Sequence, residues 1–179
     1  MMQKKKVLIL HGWGGSDYPH WQAWLATKLI KQNHEVSFPT LPNRDFPCFN
    51  EWFEFAKKEI EHFKPNIVVC HSLGNILWFH LLENLDIKPL DKLLLVAPVR
   101  NDCKVEELKD FFPYKVPKNL KAKESLLMVS TNDIYMNLRE ANELQHALNI
   151  SMSILEDAGH INAESGFGEL KEVLDWINE

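Results

Sequence analysis

Short apolar segments alternate with longer amphipathic segments along the 179-residue chain, and this alternation limits its possible folds more than any other feature. The short segments are apolar or β-branched, as expected of strands. Because parallel strands need a crossover between them, the pattern predicts an α/β fold with a mostly parallel sheet covered on both faces. Functional groups are then expected at the carboxyl ends of the strands. The predicted strands are VLIL (7–10), EVSF (35–38), NIVVC (66–70), KLLLVA (92–97), SLLMVS (125–130) and SMSIL (151–155).

The segments between the predicted strands have helical periodicity. Four of them carry a single apolar stripe, which is typical of a helix that packs on a sheet with its other side in water. The segment after Ser72, LGNILWFHLLENL, is apolar on nearly all sides and predicts a helix buried against the middle of the sheet. Residues 98–123 form the longest irregular stretch, which is either a solvated connection with a short helix or a partial cover over a site. The stripes are Trp21, Trp24, Leu25 and Leu29; Trp52, Phe53, Ala56, Ile60 and Phe63; Leu138, Ala141, Leu144 and Leu148; and Leu170, Val173, Leu174 and Ile177.

Composition narrows the class of protein. A chain of 20.9 kDa with 45% apolar residues suits one domain over residues 1–179. The net charge of −5 argues against a nucleic acid partner, and no run of lysine or arginine suggests a surface for a phosphate backbone. The apolar run in MMQKKKVLIL is too short for a signal peptide or a membrane span, so no membrane partner is expected. The three cysteines, Cys48, Cys70 and Cys103, have neither disulfide nor metal spacing and favour a reducing, cytoplasmic location.

The stretch VVCHSLGN (68–75) ends a predicted strand at a serine and resembles a nucleophile elbow, G-x-S-x-G. In such an elbow the residues two before and two after the serine must be small, because the strand and helix backbones nearly touch. Gly74 meets this requirement, and Cys70 meets it approximately. The few glycines follow strands or flank candidate catalytic residues, which predicts that three loops converge on one place. They are Gly12, Gly14, Gly15, Gly74, Gly159, Gly166 and Gly168.

A serine nucleophile needs a histidine to accept its proton and an acid to orient that histidine. Asp133 follows the strand SLLMVS, and His160 follows the strand SMSIL. The order Ser72, Asp133, His160 is the order of the triad in α/β-hydrolases, and it predicts these three as catalytic residues. Taken singly, Asp133 could form a turn and His160 could cap a helix. Asp157 competes with Asp133 for the acid role, but it is interpreted as a turn residue.

The other histidines are weaker candidates for a catalytic role. His71 neighbours the proposed nucleophile but should point the other way along its strand, and His20 lies near a helix end. No H-E-x-x-H motif or comparable cluster is present, so neither a metal nor another cofactor is expected.

Acyl transfer also requires donors for the developing oxyanion. The loop HGWGGS (11–16) follows the first strand and could supply the backbone N–H of Trp13, alongside the N–H of Leu73. A plain tight turn is the alternative. A dinucleotide loop is disfavoured, because GWGGSD lacks the third glycine and no acid follows the second strand.

These motifs together resemble the small serine hydrolases of the retinoblastoma-binding protein nine and bacterial YdeN type. The matching stretches are HGWGGS, HW at His20, LPN, CHSLG, STND and AGHINAESGFGE. The resemblance implies a minimal α/β-hydrolase-like fold, α/β/α in three layers, with about six strands and no lid domain. It also implies Ser72 as nucleophile, Asp133 as acid and His160 as base. Two positions depart from the family pattern: Cys70 replaces the usual glycine, and Met136 replaces a common valine.

The expected function is hydrolysis of a small carboxylic ester, or less readily an amide, through an acyl-enzyme on Ser72. The expected partner is therefore a small acyl substrate. A binding protein that uses a hydrolase scaffold with an idle site is the alternative, because a fold does not determine function.

Overall fold

The computed structural model describes residues 4–179, in which six strands alternate with five α-helices. The first three residues, part of the stretch MMQKKKVLIL discussed above, lie outside the described range. A 3₁₀ helix, Glu106–Phe111, replaces the α-helix between the fourth and fifth strands. The elements are β1 Lys6–Leu10, α1 Trp21–Lys31, β2 Glu35–Ser37, α2 Phe49–Phe63, β3 Ile67–His71, α3 Leu73–Asn84, β4 Leu90–Val96, β5 Ala122–Ser130, α4 Leu138–Leu148, β6 Ser151–Leu155 and α5 Lys171–Asn178.

The six strands form one parallel sheet in the order β2-β1-β3-β4-β5-β6, which confirms the predicted α/β fold. Side chains alternate between the two faces, and both faces are buried, which explains why the strands are apolar without interruption. One face packs against α1 and α5, and the other packs against α2, α3 and α4. The three layers are therefore helix, sheet and helix.

The strand order places a crevice at the carboxyl ends of β1 and β3. The chain leaves β1 toward β2 on one side and leaves β3 toward β4 on the other, so the two following loops diverge at this point. Ligands of open parallel sheets bind at such a switch point. HGWGGS follows β1 and Ser72 follows β3, so the fold brings these two predicted stretches together.

The segment between β4 and β5 is packed against the domain through its apolar residues. Phe111 is fully buried, and its ring meets Trp52 of α2 edge to face at 5.3 Å between ring centroids. His80 of α3 lies 3.0 Å from the carbonyl oxygen of Phe111. Val99 and Leu108 reach the cavity beside Ser72, so the segment partly covers the site.

The helices between residues 4 and 179 include none with the length and apolarity that a membrane span requires.

Candidate active site

Ser72 occupies a strained turn between β3 and α3. Its φ of +53° and ψ of −124° lie in a region that residues other than glycine rarely adopt. The Ser72 N–H donates to the carbonyl of Val96 at 3.0 Å. The buried Asn75 amide donates to the carbonyls of Ser72 and Val96 at 2.9 and 2.8 Å. These hydrogen bonds hold the turn in the conformation of a nucleophile elbow.

Two glycines allow other backbone segments to approach this turn. A Cβ atom at Gly74 would lie 2.7 Å from the carbonyl oxygen of Leu10 and 2.8 Å from that of His11. A Cβ at Gly12 would lie 2.7 Å from the Cβ of Ser72. Cys70 is fully buried and fits at the position of the family's glycine, and burial raises the pKa of its thiol well above the ordinary value. The predicted convergence of the glycine-bearing loops is therefore present.

The three predicted triad residues are connected by hydrogen bonds. Nε2 of His160 lies 2.7 Å from Oγ of Ser72, and Nδ1 of His160 lies 2.8 Å from Oδ2 of Asp133. The other carboxylate oxygen of Asp133 accepts the N–H of Tyr135 at 2.8 Å. The Asp133 side chain is only 2% exposed, so water competes little for these contacts. This arrangement can pass the hydroxyl proton of Ser72 to an imidazole whose tautomer is fixed by Asp133.

The stretch STND joins the loops that carry Asp133 and His160. Oγ of Ser130 accepts the N–H of Ala158 at 2.9 Å, and Oδ1 of Asn132 accepts the N–H of Gly159 at 2.6 Å. The N–H of Asp157 donates to Oγ1 of Thr131 at 2.8 Å. Asp157 has a φ of +49° and an exposed side chain, so its position is that of a turn residue.

Ile161, the residue after His160, has a strained backbone whose carbonyl oxygen is held by a hydrogen bond. Ile161 is a buried, β-branched residue with a φ of +49°, a conformation that costs of order 1–3 kcal/mol. Its carbonyl accepts the indole N–H of Trp21 at 2.8 Å. Nε2 of His71 lies 3.0 Å from the carbonyl oxygen of His160. Two successive carbonyls are thus held by side chains, which fixes the backbone that presents His160.

The sequence did not indicate that His71 and His20 lie beside the proposed nucleophile. Both are buried, both line the cavity in front of Ser72, and their ring centroids are 4.9 Å apart. His71 continues the alternation of β3, because its ring packs against Trp21 on the side of the sheet that α1 covers. Burial, with further contributions from neighbouring histidines, lowers the pKa of His71 well below its ordinary value. Tyr135, whose ring lies 4.5 Å from that of His160, was not predicted either.

The predicted oxyanion donors lie at the same end of the sheet. Leu73 is the first residue of α3, and Trp13 lines the cavity with Ser72. Within residues 4–179, neither backbone N–H donates a hydrogen bond to a protein acceptor. His11 supports this loop, because its Nε2 accepts the N–H of Leu41 at 2.8 Å and its Nδ1 lies 2.7 Å from the carbonyl oxygen of Gly12.

A cavity of about 500 Å³ opens in front of Ser72. Residues 13–20 line one side, and residues 162–164 with Tyr135 and His160 line the other. Phe46, in the loop before α2, is 80% exposed and lies outside this lining. Between residues 4 and 179, no group of three or more His, Cys, Asp or Glu side chains is arranged to hold a metal ion.

Known proteins resemble this chain in sequence and in structure. YdeN of Bacillus subtilis (strain 168) is 24% identical over 177 residues, which cover 96% of this chain and 93% of YdeN. The crystal structure of the B. subtilis ydeN gene product superposes with a TM-score of 0.87 at 23% identity, covering 97% of each chain.

Two further structures share the fold. A YdeN-like protein from Pectobacterium atrosepticum matches with a TM-score of 0.75 at 23% identity, covering 98% of this chain and 90% of that one. MGS-MChE2, an α/β hydrolase from a lagoon-sediment metagenome, matches with a TM-score of 0.72 at 14% identity, covering 98% of this chain and 91% of that one. The model of the serine hydrolase family matches residues 7–179. The chain is therefore an α/β-hydrolase in fold and a member of the serine hydrolase family.

Proposed function

We propose that the protein hydrolyses a small carboxylic ester through an acyl-enzyme on Ser72. The observation that carries the proposal is the hydrogen-bond chain from Oγ of Ser72 through His160 to Asp133, at 2.7 and 2.8 Å. A serine hydroxyl is a poor nucleophile until a base removes its proton, and this chain supplies such a base with an orienting acid.

In the proposed mechanism Ser72 Oγ attacks the ester carbonyl carbon while Nε2 of His160 accepts the hydroxyl proton. Asp133 holds the Nδ1 proton and stabilises the imidazolium that forms. The backbone N–H groups of Trp13 and Leu73 would bind the oxyanion. Leu73 begins α3, so the positive end of the helix dipole adds to this stabilisation.

The tetrahedral intermediate then collapses, and the alcohol leaves with the proton from His160. A water molecule that is deprotonated by His160 attacks the acyl-enzyme in the second half of the cycle and regenerates Ser72. The cavity of about 500 Å³ suits a small ester rather than a long-chain lipid. An amide would need the same residues but would react more slowly, because its leaving group is poorer.

The test is hydrolysis of 4-nitrophenyl acetate, followed by stopped flow and by intact-protein mass spectrometry. We expect an initial burst of nitrophenol and a mass increase of one acetyl group, both absent in Ser72→Ala. Ser151→Ala is the matched control, because Ser151 is an exposed serine on β6 and lies outside the cavity lining. A folded protein without burst or turnover would favour a binding protein on a hydrolase scaffold.

A further inference from the structure

Two buried polar side chains in the cavity wall have no partner in the described part of the chain. Ser16 is 3% exposed and His20 is 5% exposed, and both line the cavity in front of Ser72. Within residues 4–179, neither Oγ of Ser16 nor Nε2 of His20 has a hydrogen-bond partner. A buried polar group that is left unpaired destabilises the folded protein. Their placement in the wall of this cavity therefore points to a ligand that pairs with them.

The contacts of His20 determine whether its unpaired nitrogen, Nε2, donates or accepts a hydrogen bond. Nδ1 accepts the N–H of Gln22 at 3.2 Å and so caps α1. A neutral imidazole that accepts at Nδ1 carries its proton on Nε2, which makes Nε2 a donor. Burial, with smaller contributions from the neighbouring His160 and His11, lowers the pKa of His20 to about 4. Near neutral pH, His20 therefore offers one uncharged N–H.

The charges around the cavity exclude an anionic partner for this donor. Among residues 4–179, no lysine or arginine lines the cavity. Asp17 and Glu164 do line it, and Asp17 engages Arg44 at 2.5 Å. A carboxylate or phosphate on the ligand would meet carboxylates without an available cation. The group that pairs with Ser16 and His20 should therefore be uncharged.

We propose that Ser16 and His20 form a polar subsite that binds a hydroxyl group of the ester substrate. A hydroxyl is both a donor and an acceptor, so it has the chemistry to accept the N–H of His20 and to donate to Oγ of Ser16. The substrate class is then a hydroxylated ester rather than a plain alkyl ester. This assignment rests on the proposed function and adds the chemical class of its substrate.

The test compares esters that differ only in a methyl group against a hydroxyl group. Propyl butanoate and 2-hydroxyethyl butanoate probe the alcohol side, and ethyl butanoate and ethyl 3-hydroxypropanoate probe the acyl side. We expect kcat/KM to favour the hydroxylated ester by about ten-fold in one of the two pairs. This ratio is measured on the unchanged protein and needs no variant.

Variants then assign the preference to the two residues. Ser16→Ala and His20→Leu should bring the favoured ratio close to one. His20→Gln retains a donor and should restore part of the preference. Thr27→Ala is the control, because it removes a hydroxyl from the exposed side of α1 and should leave the ratio unchanged.

The outcomes separate this inference from the proposed function. Hydrolysis of all four esters with both ratios near one, as expected if water fills the subsite, would overturn the inference and leave the proposed function intact. A preference that Ser16→Ala and His20→Leu leave unchanged would overturn the assignment to these residues. Failure to hydrolyse any ester or to form an acyl-enzyme would overturn the proposed function, and the inference with it.

Discussion

Replacing Gly74 with alanine tests whether the nucleophile turn depends on contact between backbones. The new Cβ would lie 2.7 Å from the carbonyl oxygen of Leu10 and 2.8 Å from that of His11. The Leu10 oxygen cannot move easily, because β1 is held in the sheet between β2 and β3. Such overpacking costs about 1–3 kcal/mol, whereas alanine gains at most about 1 kcal/mol over glycine within a helix.

We expect the clash to outweigh the helical preference, with a net loss of about 1–2 kcal/mol. For a domain of this size the melting temperature should fall by about 2–8 °C. The start of α3 must shift to relieve the contact, and this shift displaces Ser72. An error of about 1 Å in a reacting group can cost about 100-fold in rate. The assays are thermal unfolding and the kcat for 4-nitrophenyl acetate.

Gly166→Ala provides the control. Gly166 has a φ of +90°, but a Cβ there would meet nothing within 4 Å. We expect a stability loss of about 1–2 kcal/mol from backbone strain, with an unchanged kcat. A Gly74→Ala variant that is as stable and as active as the unchanged protein would contradict the expected backbone clash.

Three further predictions concern the base and its surroundings. Asp133→Asn should leave the fold intact but lower kcat by about 10³-fold or more, because His160 loses the acid that fixes its tautomer; circular dichroism and ester kinetics check this. Trp21→Phe removes the donor to the carbonyl of Ile161. It should lower the free energy of unfolding in urea by about 1–3 kcal/mol and should also lower kcat. An unchanged free energy of unfolding would contradict a stabilising role for this hydrogen bond. The pKa of His20 is about 4 in the folded protein against 6.5 ordinarily, so the unfolded chain binds its proton first as pH falls. Stability should therefore drop by about 3 kcal/mol between pH 6.5 and pH 4, and the drop should be smaller in His20→Gln; an equally steep pH–stability curve in the variant would count against the assignment.

The fold could be predicted because burial on both faces of a parallel sheet leaves a periodic signal. Uninterrupted apolar runs such as NIVVC marked the strands, and the apolar LGNILWFHLLENL marked the buried helix α3. The positions of Ser72, Asp133 and His160 could be predicted for the same reason. Each follows a strand, and the carboxyl ends of parallel strands lie at one edge of the sheet.

The surroundings of the site could not be predicted by these rules. His71 follows the alternation of β3 and lies on the α1 side of the sheet, but alternation alone does not indicate that its ring reaches His160. His20 precedes α1, and its proximity to Ser72 arises from packing between distant parts of the chain. The unpaired state of Ser16 is likewise a property of the folded structure. The sequence HGWGGS predicts a flexible loop, but it does not predict which side chains are buried beneath that loop.

The most direct test of the account is labelling with a fluorophosphonate probe, followed by mass mapping of the modified peptide. We predict covalent modification of Ser72 in the unchanged protein and loss of labelling in both Ser72→Ala and His160→Ala. His62→Ala is the matched control, because His62 lies on the exposed side of α2, and it should label like the unchanged protein. A folded protein that stays unlabelled at Ser72, or that labels equally well without His160, would contradict the proposal that this serine is an activated nucleophile.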